Sequence, residues 1–169
     1  MRTLSILFLY ILIFSGCTKD LPRNNPKDIN SNNYVPPPPQ LVFSRYIVEQ
    51  GNDSAGGTVY LTIYLKNVGQ GSAQKVQVNI SSSSSYISPT TFGTHSFDDM
   101  AAGAEGEGYY VYNTDPYTII FTLSNSTPIG TLITFNMAVT ASSTFQNNSI
   151  NYSVTTDYNW SDSFTMLVK

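Results

Sequence analysis

The residues best equipped for chemistry are few. His95 is the only histidine, in Thr94-His95-Ser96-Phe97-Asp98-Asp99, so any Ser-His-Asp mechanism would have to pass through it. No Gly-x-Ser-x-Gly elbow presents a nucleophile anywhere in the chain. The imidazole therefore reads as a turn or strand-edge residue, and the chain as a non-enzyme. Asp98, Asp99, Glu105 and Glu107 place four carboxylates in a short stretch. Such oxygen ligands suit Ca²⁺, but the Asp-x-Asp-x-Asp-Gly spacing is missing, and a solvated acidic loop is the expectation. One cysteine and one histidine exclude a disulfide framework, a thiolate metal cluster and a multi-histidine site. No cofactor is implied. The remaining candidate is aromatic: there are twelve tyrosines and one tryptophan, and Tyr109, Tyr112, Tyr158 and Trp160 are the expected ligand surface. Amphipathic rings of this kind bury much area at small entropic cost when they hold sugars or protein partners.

Composition narrows the partners. Charged residues make up only 11% of the 169-residue chain, the net charge is −3, and Lys plus Arg total 8. That is too little positive charge to neutralise a row of phosphates, which excludes nucleic acid. The surface must be built from Ser, Thr, Asn and Tyr.

The elements that would position the aromatic residues alternate with period two. Val59, Leu61, Ile63 and Leu65 alternate with Tyr60, Thr62, Tyr64 and Lys66; Val76, Val78 and Ile80 follow the same rule, as do Ile133, Phe135, Met137 and Val139. Ile150, Tyr152 and Val154, then Phe164, Met166 and Val168, give two further strands, while Tyr109–Tyr112, Tyr117–Leu123 and Val42–Val48 complete the set. Turn residues separate them at Gly56-Gly57, Gly69-Gln70-Gly71, Gly103 to Gly108, Asp115-Pro116, Pro128-Ile129-Gly130 and Asn147-Asn148. No window has helical periodicity. Seven to nine half-buried strands over 41–169 predict an all-β domain of two packed antiparallel sheets.

Ahead of this domain, Arg2 and the apolar run Leu4–Phe14 end in Ser15-Gly16-Cys17. This is the layout of a secretory signal peptide, with an apolar run too short for a membrane-spanning helix of about 20 residues. With Cys17 at its end, it resembles the lipobox of bacterial lipoproteins, although Phe14 stands where leucine is usual. The resemblance implies cleavage after residue 16 and acylation of Cys17, with two or three chains giving stable anchoring where one would not. The Lys19-Asp20 pair is similar to short charged signals of Bacteroidota surface lipoproteins, which implies an outer-membrane, surface-exposed location. Residues 17–40, rich in Pro and Asn, are expected to be a disordered tether, with Pro36–Pro39 a stiff polyproline stub acting as a spacer.

The run from Leu61 to Tyr86 is followed by Phe97 to Gly103, Ser126-Thr127-Pro128-Ile129-Gly130 and Ile133-Thr134-Phe135. It resembles the immunoglobulin-like modules of the cell-adhesion-related group in bacterial surface proteins. That resemblance implies an immunoglobulin-like sandwich without catalytic residues, with Asn67 and Gly69 tightening the turn between two core strands and Gly69 needing φ > 0. The expected function is a lipid-anchored, cell-envelope binding or adhesion module that meets the membrane through its lipid and a protein or glycan through its surface. A carbohydrate-binding lipoprotein using the Tyr/Trp surface, or a structural accessory of an envelope complex, are the alternatives.

Overall fold

The computed structural model describes residues 25–89, 91–110 and 119–169. Cys17, the signal segment, Tyr112 and Tyr117 lie outside them. All regular structure among the described residues is strand: β1 (Leu41–Gly51), β2 (Thr58–Asn67), β3 (Gln74–Ser81), β4 (Ile87–Pro89), β5 (Gly93–Phe97), β6 (Glu105–Tyr110), β7 (Ile119–Leu123), β8 (Leu132–Asn147) and β9 (Tyr152–Leu167). No helix of the described residues is long and apolar enough to cross a membrane.

The ladders run β4-β7-β2-β6-β5-β3-β8-β9, with β1 on β2. All of the pairings with a defined register are antiparallel. One strand folds this ribbon into two layers. The first half of β6 pairs with β2 (Tyr64↔Glu107, Lys66↔Glu105), and its second half pairs with β5 (Phe97↔Gly108, His95↔Tyr110). Pairing β2 with β7 in one layer and β3 with β8 in the other is the Greek-key arrangement of an immunoglobulin-like sandwich. The expected all-β architecture is the observed one.

The alternating apolar residues of β2, β3 and β8 point between the layers. Val59, Leu61, Ile63, Leu65, Val78, Ile133 and Phe135 are all 0% exposed. Phe135 is the centre of an aromatic group, 4.9 Å from Phe164, 5.3 Å from Phe121 and 6.1 Å from Phe92 between ring centroids. Phe43 of β1 stacks on Phe164 at 4.7 Å. Ring pairs at these separations add packing energy beyond the area they bury.

Three elements differ from the sequence expectation. The final two strands are one, β9, because alternation continues through Thr156, Tyr158, Trp160 and Asp162 with half-buried side chains in place of apolar ones. The Gly103–Gly108 turn is shorter than expected, since β6 begins at Glu105. A Cβ on Gly106 would stand 2.8 Å from Met100 Sδ, and one on Gly108 2.6 Å from Phe97 Cζ, so these glycines make room for inward-packed neighbours within a strand. The proline stub is not a free spacer. Pro36 and Pro39 are buried, and Pro36–Gln40 belongs to the same compact unit as the sandwich.

A second unit includes residues 25–35 together with the hairpin tip Asn147–Tyr152. Its described part is tied by polar contacts. Asn147 Nδ2 donates to Ile29 O at 2.8 Å, Tyr152 Oη donates to Tyr34 O at 2.9 Å, and Ser31 is fully buried. Residues 25–35 are a series of turns, with Asp28 O accepting from Ser31 N–H and Pro26 O from Val35 N–H.

Candidate functional site

Strand alternation puts Tyr158 and Trp160 on the same face of β9. Their rings are parallel within 10°, with centroids 5.7 Å apart. Both are half-buried, and Trp160 packs against the edge of the core. They form the floor of a groove of about 490 Å³. One wall is Pro38 and Pro39. The other is Val68, Gly69 and Gln70 from the β2–β3 turn, and Gln40 completes the rim. Val68 is 49% exposed, an uncovered apolar side chain beside the two rings.

The wall exists because the proline stub is sewn to the β2–β3 turn. Pro38 O accepts from Gln70 N–H at 3.2 Å and Gly71 N–H at 3.1 Å, and Gln40 O accepts from Val68 N–H at 2.8 Å. A Cβ on Gly71 would lie 1.9 Å from Pro37 O, and one on Gly69 would lie 2.3 Å from Gln40 N and 2.6 Å from Pro39 C. Gly69 is absent from the positive-φ glycines, so the expectation of a left-handed turn residue is corrected. Glycine is needed there because another backbone presses against it.

Asn67 holds the construction together. It is 0% exposed and uses its whole carboxamide. Oδ1 accepts from Gln40 N–H and Gly69 N–H, both at 3.1 Å, while Nδ2 donates to Gly71 O at 2.7 Å, Met100 O at 3.1 Å and Ala101 O at 3.3 Å. One buried side chain thus fixes the stub, the β2–β3 turn and the loop before β6. In the sequence it appears only as a turn residue. The proximity of Pro36–Pro39 to Gly69-x-Gly71 is a long-range fact that local spacing does not carry.

The other expected site residues do not join this groove. Tyr109 is 43% exposed on β6, and β5, β3 and β8 separate it from β9 in the sheet order. Tyr109 does not line this groove, and Tyr112 lies outside the described residues.

Of the four acids, Glu105 and Glu107 flank one Arg45–Tyr64 pair, while Asp99 bonds to the β3 backbone. Glu105 accepts from Ser44 Oγ at 2.5 Å and pairs with Arg45 Nη2 at 3.0 Å, and these contacts, the Ser44 bond first, hold its carboxyl below the usual range. Arg45 lies 3.6 Å above the Tyr64 ring, and Tyr64 Oη donates to Glu107 at 3.2 Å. Asp99 Oδ1 accepts from Lys75 N–H at 3.1 Å. Among the described residues no three His, Cys, Asp or Glu side chains converge as metal ligands.

His95 is 0% exposed on β5, a core position and not the turn or strand-edge one expected. Burial pushes its pKa down to about 4, against a hydrogen bond to the backbone of Thr91 that raises it. No known family model and no curated protein sequence matches the chain.

Proposed function

We propose that this chain is a lipid-anchored protein of the bacterial cell envelope whose immunoglobulin-like domain binds its ligand without catalysis. The observation that carries the reading is the stacked Tyr158–Trp160 pair, half-buried on the floor of a groove with an exposed valine beside it. A rigid aromatic floor costs little conformational entropy on binding, and parallel rings offer apolar faces that remain wettable at their edges. The anchoring half of the reading is supported by Leu4–Phe14 and Ser15-Gly16-Cys17 at the amino terminus. Two or three acyl chains on Cys17 would hold an acidic protein that anionic lipid headgroups do not attract.

The test has two arms. Mass spectrometry of the full-length protein from membranes should find an acylated amino-terminal Cys17, and Cys17→Ser should release the protein to the soluble fraction. Cells carrying the Tyr158→Ala, Trp160→Ala double variant should lose adhesion to host-cell or polysaccharide surfaces that the wild type holds. Soluble, unacylated wild-type protein refutes the anchor. Unchanged adhesion of a folded double variant refutes the binding site.

A further inference from the structure

We infer that the groove over Tyr158 and Trp160 takes an uncharged glycan chain, with Gln40 and Gln70 as its polar contacts. This rests on the reading of the domain as a binding module and names the class of ligand. The lining decides the charge. Among the described residues that line the groove none is Asp, Glu, Lys, Arg or His; its polar residues are Gln40, Gln70 and Tyr158. A uronate, sulfate or phosphate group would give up water there without meeting a cation, which is unfavourable. A neutral sugar loses no such hydration. Its rim of hydroxyls both donates and accepts, as a carboxamide does. Its C–H face is apolar and matches the ring faces below.

The walls also argue against a peptide. An extended peptide gains much of its affinity by pairing with an unpaired backbone edge. Here much of the wall backbone is already committed. Pro38 O is occupied by two N–H groups and Gln40 O by Val68 N–H, and Gln40 N–H is given to Asn67 Oδ1. Pro38 and Pro39 have no N–H to offer. What the groove presents is side chains: two rings, two amides and Val68. Asn67 bonds to both Gln40 N–H and Gly69 N–H, so it acts as a positioning residue for the two backbone segments that carry Gln40 and Gln70.

Trp160 is the only tryptophan, so its emission reads this groove directly. Full-length protein in a polyoxyethylene detergent, chosen because a maltoside would compete, is titrated with cello-, manno-, xylo- and laminari-hexaose. Oligogalacturonate of equal length and a proline-rich decapeptide are the comparison arms. At least one neutral hexaose should shift Trp160 emission and shield it from acrylamide, while the uronate and the peptide do neither. Gln70→Ala should weaken that hexaose about tenfold, the scale of one lost hydrogen bond, with the free protein's spectrum and melting unchanged. Because Trp160 packs against the core, Gln70→Ala carries the test, and Tyr109→Phe, exposed on β6 and outside the groove lining, is the folded control that should bind as the wild type does. Failure of all four hexaoses, tighter binding of the uronate, or binding of the peptide alone each overturns the glycan assignment while Trp160-dependent adhesion persists. Adhesion that survives loss of both rings overturns the binding module itself.

Discussion

Acidification should destabilise this domain through one residue. In the unfolded chain His95 titrates near the ordinary value of 6.5; in the folded chain burial holds it at about 4. Between those values the unfolded state takes up a proton that the folded state refuses, so stability rises with pH across that window and is lost as pH falls. Above pH 6.5 the contribution is constant, and below about 4 both states are protonated and the loss is complete. At 1.36 kcal/mol for each pKa unit, the full loss is about 3 kcal/mol, and about 2 kcal/mol of it should appear between pH 7.5 and 5. That upper stretch is informative because most carboxylates have not yet begun to protonate. Urea denaturation followed by far-ultraviolet circular dichroism gives the unfolding free energy at each pH. The variant His95→Gln keeps a polar side chain of similar size but cannot take up a proton. Wild type should fall by about 2 kcal/mol over that range and the variant by well under 1 kcal/mol. Parallel curves for the two proteins would refute the claim that the imidazole is a neutral core group.

Three substitutions probe the packing. Asn67→Ala strips partners from two buried N–H groups and three carbonyls; it should cost about 3 kcal/mol in urea unfolding and expose Trp160 to acrylamide in the folded protein. Phe135→Ala removes the ring that Phe121, Phe92 and Phe164 all touch, and should cost about 3–5 kcal/mol in the same assay. Gly71→Ala drives a Cβ against Pro37 O and should cost about 1–3 kcal/mol. A fully stable Gly71→Ala protein with unchanged Trp160 emission would mean that the proline stub is not held against the turn.

Period-two alternation is enough to place β2, β3 and the first half of β8, because one face of each carries apolar residues into the core and the other carries polar or aromatic ones. It failed along β9 between Val154 and Phe164, where the inward face is only half covered and the apolar signal fades without the strand ending. β4 and β5 are three and five residues long, too short for any periodicity to rise above turn composition. Tyr158 and Trp160 could be paired from their spacing alone, since i and i+2 share a face on any strand. Their walls could not. Pro38 and Val68 meet only because β1 returns alongside β2, with Leu41 opposite Asn67. Residue type alone groups Tyr109 with them; it lies on β6 and does not line the groove.

The position of the groove follows from the unequal cover over β9. Phe164, Met166 and Val168 are buried on the face they share with Tyr158 and Trp160. The alternation is the same throughout, but the far half has a five-residue stub and a glycine turn beside it in place of a full complement of core side chains. Such a cover leaves the rings partly wet. It stays in place because its backbone hydrogen bonds are satisfied within the unit, so a ligand entering the groove displaces water and not protein contacts. That is the condition under which a half-buried aromatic pair contributes affinity without first having to be freed.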